Sequence, residues 1–118
     1  GVESVACDRG DSLGINMLKE IGMDMFILST ETNPVVMARA KKIGIKVEAG
    51  CIDKKVFLEK YLSEKKIDSK DVIYVGNDLN DLEAMGLVGY PVAPSDAHPD
   101  IIRIATHILS NKGVQFEN

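Results

Sequence analysis

Three polar residues follow a short apolar run in this chain, and their spacing is typical of an acidic metal site. The run from Val72 to Val75 ends at Gly76, and Asn77, Asp78 and Asp81 follow it. In an open parallel α/β sheet the ligand crevice lies outside the carboxyl ends of the strands, so oxygen ligands at a strand tip face it. The segment therefore predicts a metal site built from Asn77, Asp78 and Asp81.

The same segment has a simpler explanation that needs no chemistry. A helix with Leu79, Leu82 and Met85 on its apolar face follows the run, and Asp78 or Asn80 can cap its first turn. Turns between a strand and a helix are often acidic for this reason. An acidic cap therefore stays open as the alternative.

Two other polar groups occur where such a sheet presents its crevice. Ser29 or Thr30 follows the apolar run Met25–Leu28, and Lys54 stands at the start of a predicted helix. Each is ordinary alone, because a hydroxyl there is usually a cap and a lysine is usually solvated. Together with Mg²⁺ bound by carboxylates, however, a hydroxyl and an ammonium are what phosphoryl transfer needs.

The elements that must position these residues alternate along the chain. Helices are predicted at Leu13–Ile21, from Pro34 to Gly44, after the Asp53 cap, after Asp78 and near Pro99. Strands are predicted at 25–28, 45–47, 72–75, 90–93 and 106–109. On the helix after Asp53, we expect Val56, Phe57 and Tyr61 to share the apolar face. The alternation predicts a doubly wound parallel α/β sheet in three α/β/α layers.

Composition narrows the class of protein further. The 118 residues fit one domain, with 45% hydrophobic and 27% charged residues. A net charge of −4 without a basic cluster argues against nucleic acid as a partner. No apolar run approaches the roughly 20 residues of a membrane span, and no secretory leader is present, so we expect a soluble cytoplasmic protein. Cys7 and Cys51 lack metal-site spacing and are predicted to be buried thiols.

The order of the polar groups favours one architecture over another. A response-regulator receiver also places acidic residues and a lysine on such a sheet, but its lysine follows the acceptor aspartate. Here Lys54 precedes the acidic cluster. The receiver architecture is therefore disfavoured.

The order hydroxyl, lysine, Gly-Asn-Asp-Leu-Asn-Asp resembles motifs two, three and four of the haloacid dehalogenase (HAD) superfamily over nearly the whole chain. Segments 11–18, 38–44 and 92–99 are similar to the branch containing 3-deoxy-D-manno-octulosonate 8-phosphate phosphatase. The resemblance implies a Rossmann-like core without a cap domain and Mg²⁺ as cofactor. It also implies that Ser29, Thr30 and Lys54 hold the phosphoryl group of a phosphorylated sugar acid, with Ser29 and Lys54 in the catalytic positions of motifs two and three.

The chain departs from the family pattern in two places. Asn77 stands where the family usually has a metal-binding aspartate, and an amide adds no charge, so we expect weak Mg²⁺ binding. Motif one, an Asp-x-Asp pair whose first aspartate is the nucleophile, is absent from the sequence. We therefore expect residues 1–118 to form a single HAD-like domain that lacks the first strand. The Leu-Ser-Thr-Glu-Thr-Asn-Pro and Gly-Asn-Asp variants are similar to the C-terminal phosphatase-like domain of acylneuraminate cytidylyltransferases.

Three functions are consistent with these features. The first is a Mg²⁺-dependent phosphatase of phosphorylated octulosonic or nonulosonic acids. The second is a non-catalytic module that joins the subunits of a sugar-activating enzyme. The third is an α/β domain whose acidic turn is only a cap. Because a sheet without its first strand leaves an apolar face uncovered, we also expect a homo-oligomer, in the form of a tetramer or a dimer of dimers.

Overall fold

The computed structural model describes residues 4–7, 25–29, 34–42, 44–48, 50–109 and 116–117. Within these residues the strands are β1 (Ser4–Cys7), β2 (Met25–Leu28), β3 (Lys46–Glu48), β4 (Val72–Val75), β5 (Tyr90–Pro94), β6 (His107–Leu109) and β7 (Phe116–Glu117). The α-helices are α1 (Pro34–Lys42), α2 (Lys54–Lys65), α3 (Leu82–Leu87) and α4 (Pro99–Ile104). Short 3₁₀ turns cover Ser69–Asp71 and Leu79–Asp81.

The strands form one sheet in the order β3-β2-β1-β4-β5-β6-β7. Neighbours are parallel from β3 to β6, and β7 pairs antiparallel with β6. In this register Cys7, at the end of β1, lies opposite both Ile27 and Val75. The carboxyl ends of β1, β2 and β4 therefore meet at one edge, which we call the carboxyl edge.

Both faces of the sheet are covered, because side chains along a strand alternate between them. Ala6 points into a cluster that includes Leu58 of α2 and Ile101 of α4. Val5 and Cys7 point the other way, into a cluster with Ala40 of α1. Helices therefore pack on both faces, which confirms the predicted doubly wound fold.

Helix α2 begins and ends at recognisable caps. Asp53 is the N-cap, since its Oδ1 accepts the Val56 N–H at 3.1 Å, and Lys66 ends the helix in the left-handed conformation at φ 58°. The buried positions are Lys54, Leu58, Tyr61 and Leu62, which follow the i, i+4, i+7, i+8 spacing of one helix face. The expectation that Val56 lies on the apolar face is wrong, because this side chain is 58% exposed.

All five predicted strands are confirmed, two of them with the predicted ends and three within one residue. Strand β1 was not predicted, although all four of its residues are buried. The helix predicted at Leu13–Ile21 lies outside the described residues. The expectation that the strand bearing Asp-x-Asp is missing stays a prediction. In the described part of the chain, no helix has the length and apolar character needed to cross a lipid bilayer.

Candidate functional site

Backbone hydrogen bonds bring the start of α2 to the tip of β2. The Ser29 N–H donates to the Glu48 carbonyl at the end of β3, at 3.0 Å. The Ser29 carbonyl accepts the Cys51 N–H at 2.8 Å, three residues before α2 begins. Ser29 therefore lies at the carboxyl edge, beside the loop that leads to Lys54, as the sequence predicted for a hydroxyl after a strand.

Lys54 is the first residue of α2, and its side chain is buried with 3% exposure. Its Nζ donates to Asp81 Oδ1 at 2.8 Å and to Asn80 Oδ1 at 3.4 Å. A cation at a helix N-terminus opposes the macrodipole, and a buried ammonium loses its hydration. The Lys54 side chain is therefore destabilised both by its position at the helix N-terminus and by its burial. Residues in locally unfavourable positions of this kind are expected at functional sites.

Asp81 joins the lysine to the loop that follows β4. It is fully buried, and its Oδ1 accepts hydrogen bonds from Lys54 and from the Tyr74 hydroxyl, the latter at 2.7 Å. Its Oδ2 accepts the backbone N–H groups of Asn77 at 3.1 Å and Asp78 at 3.2 Å. These donors compensate the buried carboxylate, because hydrogen bonds to a carboxylate replace its lost hydration.

The backbone at Gly76 allows this arrangement. A Cβ at this position would lie 2.6 Å from Met85 Sδ and 2.7 Å from Asp81 Cβ. Any side chain here would therefore push the buried carboxylate away from the strand tip. The glycine that ends the apolar run is required by this close approach.

Asn77 and Asp78 form the turn at the tip of β4. Asn77 is half-buried, and its carbonyl accepts the His98 N–H at 2.9 Å. Asp78 is exposed, and its Oδ1 caps the turn by accepting the Leu79 N–H at 2.7 Å. The cap predicted at Asp78 or Asn80 is therefore made by Asp78. The cap does not remove the metal hypothesis, because amide and carboxylate oxygens of this kind suit Mg²⁺.

The structure brings Lys54 together with Asp81, close to Asn77 and Asp78, as the order of motifs predicted. The metal-ligand role of Asp81 stays a prediction, but both of its oxygens already have other partners. Asn77 and Asp78 are thus the stronger candidates for a cation. Within the described ranges, no group of three or more His, Cys, Asp or Glu side chains could hold a metal ion. Thr30 lies outside the described residues.

Sequence reasoning missed three residues that support the site. Tyr74 and Asn80 contact the Lys54–Asp81 pair, and His98 holds the carbonyl of Asn77. His98 also caps α4, since its Nδ1 accepts the Asp100 N–H at 3.1 Å. The signal for Tyr74 was its phenolic oxygen within an otherwise apolar strand, because a buried hydroxyl needs a partner.

Both cysteines are buried thiols outside any disulfide, as predicted. Burial raises the pKa of the Cys51 thiol, the Lys54 ammonium lowers it in part, and the Glu48 and Asp53 carboxylates raise it again. At neutral pH this thiol therefore stays protonated. Because the thiolate is the nucleophilic form, this shift disfavours Cys51 as a nucleophile.

Comparison with known proteins gives the family and supports the fold. The family described as haloacid dehalogenase-like hydrolase matches residues 15–113. N-acylneuraminate cytidylyltransferase A of Danio rerio is 33% identical over 101 residues, which cover 82% of this chain and 23% of the relative. The 3-deoxy-D-manno-octulosonate 8-phosphate phosphatase of Yersinia pestis is 32% identical over 114 residues, 96% of this chain and 61% of the relative. The chain thus spans less than two thirds of either relative.

Among solved structures, the fold matches the 3-deoxy-D-manno-octulosonate 8-phosphate phosphatase of Moraxella catarrhalis with a TM-score of 0.81. That structure is 22% identical, with 97% of this chain and 79% of the other covered, and it contains magnesium, phosphate and KDO. At this identity the match supports the fold.

Proposed function

We propose that this chain, which belongs to the haloacid dehalogenase-like hydrolase family, is a phosphatase-like domain. In this proposal it binds Mg²⁺ and the phosphoryl group of a phosphorylated sugar acid. The acid is of the octulosonate or nonulosonate type. The observation that carries the proposal is the buried Lys54–Asp81 pair, 2.8 Å apart, at the carboxyl edge of a parallel sheet.

The pair is suited to a phosphoryl group because it fixes an ammonium at the crevice. The transferred group carries spread negative charge, which a protein stabilises with positioned donors and cations. Asp81 keeps Lys54 at the tip of β4, next to the loop that holds Asn77 and Asp78. In this proposal Ser29 and Lys54 hold the phosphoryl oxygens, and Thr30 assists them.

Asn77 and Asp78 would hold the magnesium ion in this proposal. Oxygen ligands of this kind suit Mg²⁺, and the Moraxella structure of the same fold contains magnesium, which supports the same ion here. When bound, the ion would neutralise charge on the phosphoryl oxygens. With a carboxylate from Asp78 and an amide from Asn77, we expect its affinity to be low.

The sequence contains no Asp-x-Asp pair to supply the nucleophile that the family resemblance implies. We therefore propose that the 118-residue chain binds the phosphoryl group without turnover above background. The cytidylyltransferase match supports a role as the C-terminal module of an acylneuraminate cytidylyltransferase. The phosphatase match supports the sugar-acid class of ligand.

Calorimetric titration with inorganic phosphate in the presence of Mg²⁺ tests the proposed binding site. We expect Lys54→Met to weaken binding at least tenfold, because a charge-assisted hydrogen bond is lost. The matched control is Lys60→Met, which removes an exposed ammonium from the same helix and leaves binding unchanged. Equal phosphate affinity in Lys54→Met and the unaltered chain would contradict the proposed site.

Phosphate release tests the absence of turnover. The substrates are 3-deoxy-D-manno-octulosonate 8-phosphate and a nonulosonate 9-phosphate, each with Mg²⁺. We expect no release above the background rate. Release that depends on Mg²⁺ and disappears in Asp81→Asn would refute this part of the proposal, and would mean that another carboxylate serves as nucleophile.

A non-catalytic assembly module is the second candidate, and an apolar groove favours it. The groove has a volume of about 360 Å³ and lies between α1 and the edge strand β3. Its lining residues are Met37, Ala38, Lys41, Ile45, Lys46 and Val47. Val35 and Met37 of α1 are 64% and 42% exposed. Exposed apolar surface beside a sheet edge is typical of an interface, so this candidate predicts a homo-oligomer, in the form of a tetramer or a dimer of dimers.

A further inference from the structure

Tyr74 contacts the site, although neither the order of the motifs nor the requirements of phosphoryl transfer predict a residue there. It lies on β4 and is fully buried. Its ring belongs to the apolar cluster that contains Phe26 and Leu58, so packing holds the ring in place. Its hydroxyl donates to Asp81 Oδ1 at 2.7 Å, the same oxygen that accepts Lys54.

Among the described residues, four donors contact Asp81, two on each of its oxygens. Tyr74 and Lys54 contact Oδ1, while the N–H groups of Asn77 and Asp78 contact Oδ2. The terminal torsion of an aspartate has a broad energy well, so the carboxylate plane is set by its partners. One of the other donors is the head group of a long lysine side chain, and two are backbone amides of the loop after β4. The phenol is carried by a packed ring in the sheet.

We propose that Tyr74 is a positioning residue that fixes the carboxylate plane of Asp81 and thereby couples the lysine to the loop after β4. With the plane fixed, Oδ1 keeps Lys54 at the carboxyl edge and Oδ2 keeps the backbone of Asn77 and Asp78 in its turn. The coupling to ligands rests on the proposed function, in which the lysine holds phosphate and the loop holds Mg²⁺. Phosphate and Mg²⁺ then each strengthen the binding of the other through one carboxylate.

The variant Tyr74→Phe removes the hydroxyl and keeps the packed ring. The matched control is Tyr90→Phe, which removes a partly exposed hydroxyl from the amino end of the neighbouring strand β5. Amide NMR signals of Asn77 and Asp78 report their hydrogen bonds to Asp81 directly. We expect both signals, and the Lys54 side-chain signal, to shift in Tyr74→Phe and to stay unchanged in Tyr90→Phe. Unchanged signals in Tyr74→Phe would overturn the positioning role.

The coupling is measured by titrating the same proteins with inorganic phosphate, with and without Mg²⁺. We expect Tyr74→Phe to bind phosphate about tenfold more weakly, and Mg²⁺ to enhance phosphate binding less than in the unaltered chain. Equal affinities and equal enhancement, despite shifted amide signals, would overturn the coupling. If the unaltered chain binds no phosphate, the proposed function fails, and the amide signals still decide whether Tyr74 positions Asp81.

Discussion

Removing the ammonium of Lys54 is the perturbation for which the structure gives the clearest magnitude. Lys54 is 3% exposed and Asp81 is fully buried, so Lys54→Met removes the cation that lies 2.8 Å from a buried carboxylate. Breaking a buried pair from one side costs about 3–5 kcal/mol. Asp81 would keep its hydrogen bonds from Tyr74, Asn77 and Asp78, so we expect the lower end, about 3 kcal/mol.

This cost converts into a shift of the melting temperature. An unfolding entropy of about 2.1 cal/mol/K per residue gives about 250 cal/mol/K for the 118 residues of this chain. A loss of about 3 kcal/mol therefore lowers Tm by about 12 °C. Differential scanning calorimetry and urea unfolding of the two proteins measure the effect independently.

An exposed ion pair in the same chain provides the control. Arg103 and Asp100 lie 3.1 Å apart, with side chains 74% and 45% exposed. Pairs of this kind contribute little, so we expect Arg103→Met to change the free energy of unfolding by less than about 0.5 kcal/mol. If Lys54→Met lowered Tm no more than Arg103→Met does, the assignment of a buried, mutually dependent pair would be refuted.

A double-mutant cycle measures the interaction between Lys54 and Asp81 separately from any general destabilisation of the core. Asp81→Asn alone leaves Lys54 buried without its carboxylate and places an amide among four donors. In the Lys54→Met background the same change removes an uncompensated charge, so its cost is smaller. We expect a coupling free energy of about 1–3 kcal/mol, whereas additive costs would show that the two residues do not depend on each other.

Further predictions concern the metal, the thiol and the assembly. Asn77→Asp should tighten Mg²⁺ binding in calorimetric titration, and equal affinity in both forms would mean that Asn77 faces away from the ion. Burial raises the pKa of Cys51, so its alkylation by iodoacetamide, followed by peptide mass spectrometry, should accelerate at a higher pH than that of a model thiol. Acceleration at the ordinary thiol pH would contradict this. Light scattering should give an oligomer at micromolar concentrations, and a steady mass near 12.9 kDa would exclude one.

Local signals were sufficient to predict the elements whose ends are marked by particular residues. Strand β4 ends at the required Gly76, and α2 begins after the Asp53 cap. Strand β1 lacked such a signal, because its four residues include Ser4 and Cys7 and form no long apolar run. It is buried because β2 and β4 pair with it on both sides, which is a long-range property that local patterns do not encode.

The site was predictable in its composition but not in its contacts. Strand tips in a parallel sheet converge, so the order of Lys54 and the acidic cluster predicted that these residues would meet, and it placed Ser29 at the same edge of the sheet. The number of donors on Asp81 could not be predicted, because they come from residues as far as 27 positions away. An aspartate whose carboxylate accepts four hydrogen bonds and an aspartate that binds a metal ion cannot be told apart from the sequence.

Asn77 stands where the family usually has an aspartate, and this difference changes the net charge at the carboxyl edge. It therefore affects the binding of phosphate as well as the binding of Mg²⁺. The buried charges of Lys54 and Asp81 cancel, which leaves Asp78 as the net charge among these four residues. Bound Mg²⁺ then makes the group positive, which favours an anionic phosphoryl group. Asn77→Asp would make the same group neutral. We therefore expect Asn77→Asp to tighten Mg²⁺ but to weaken inorganic phosphate at saturating Mg²⁺, and calorimetry that finds both ligands tighter would contradict this charge balance.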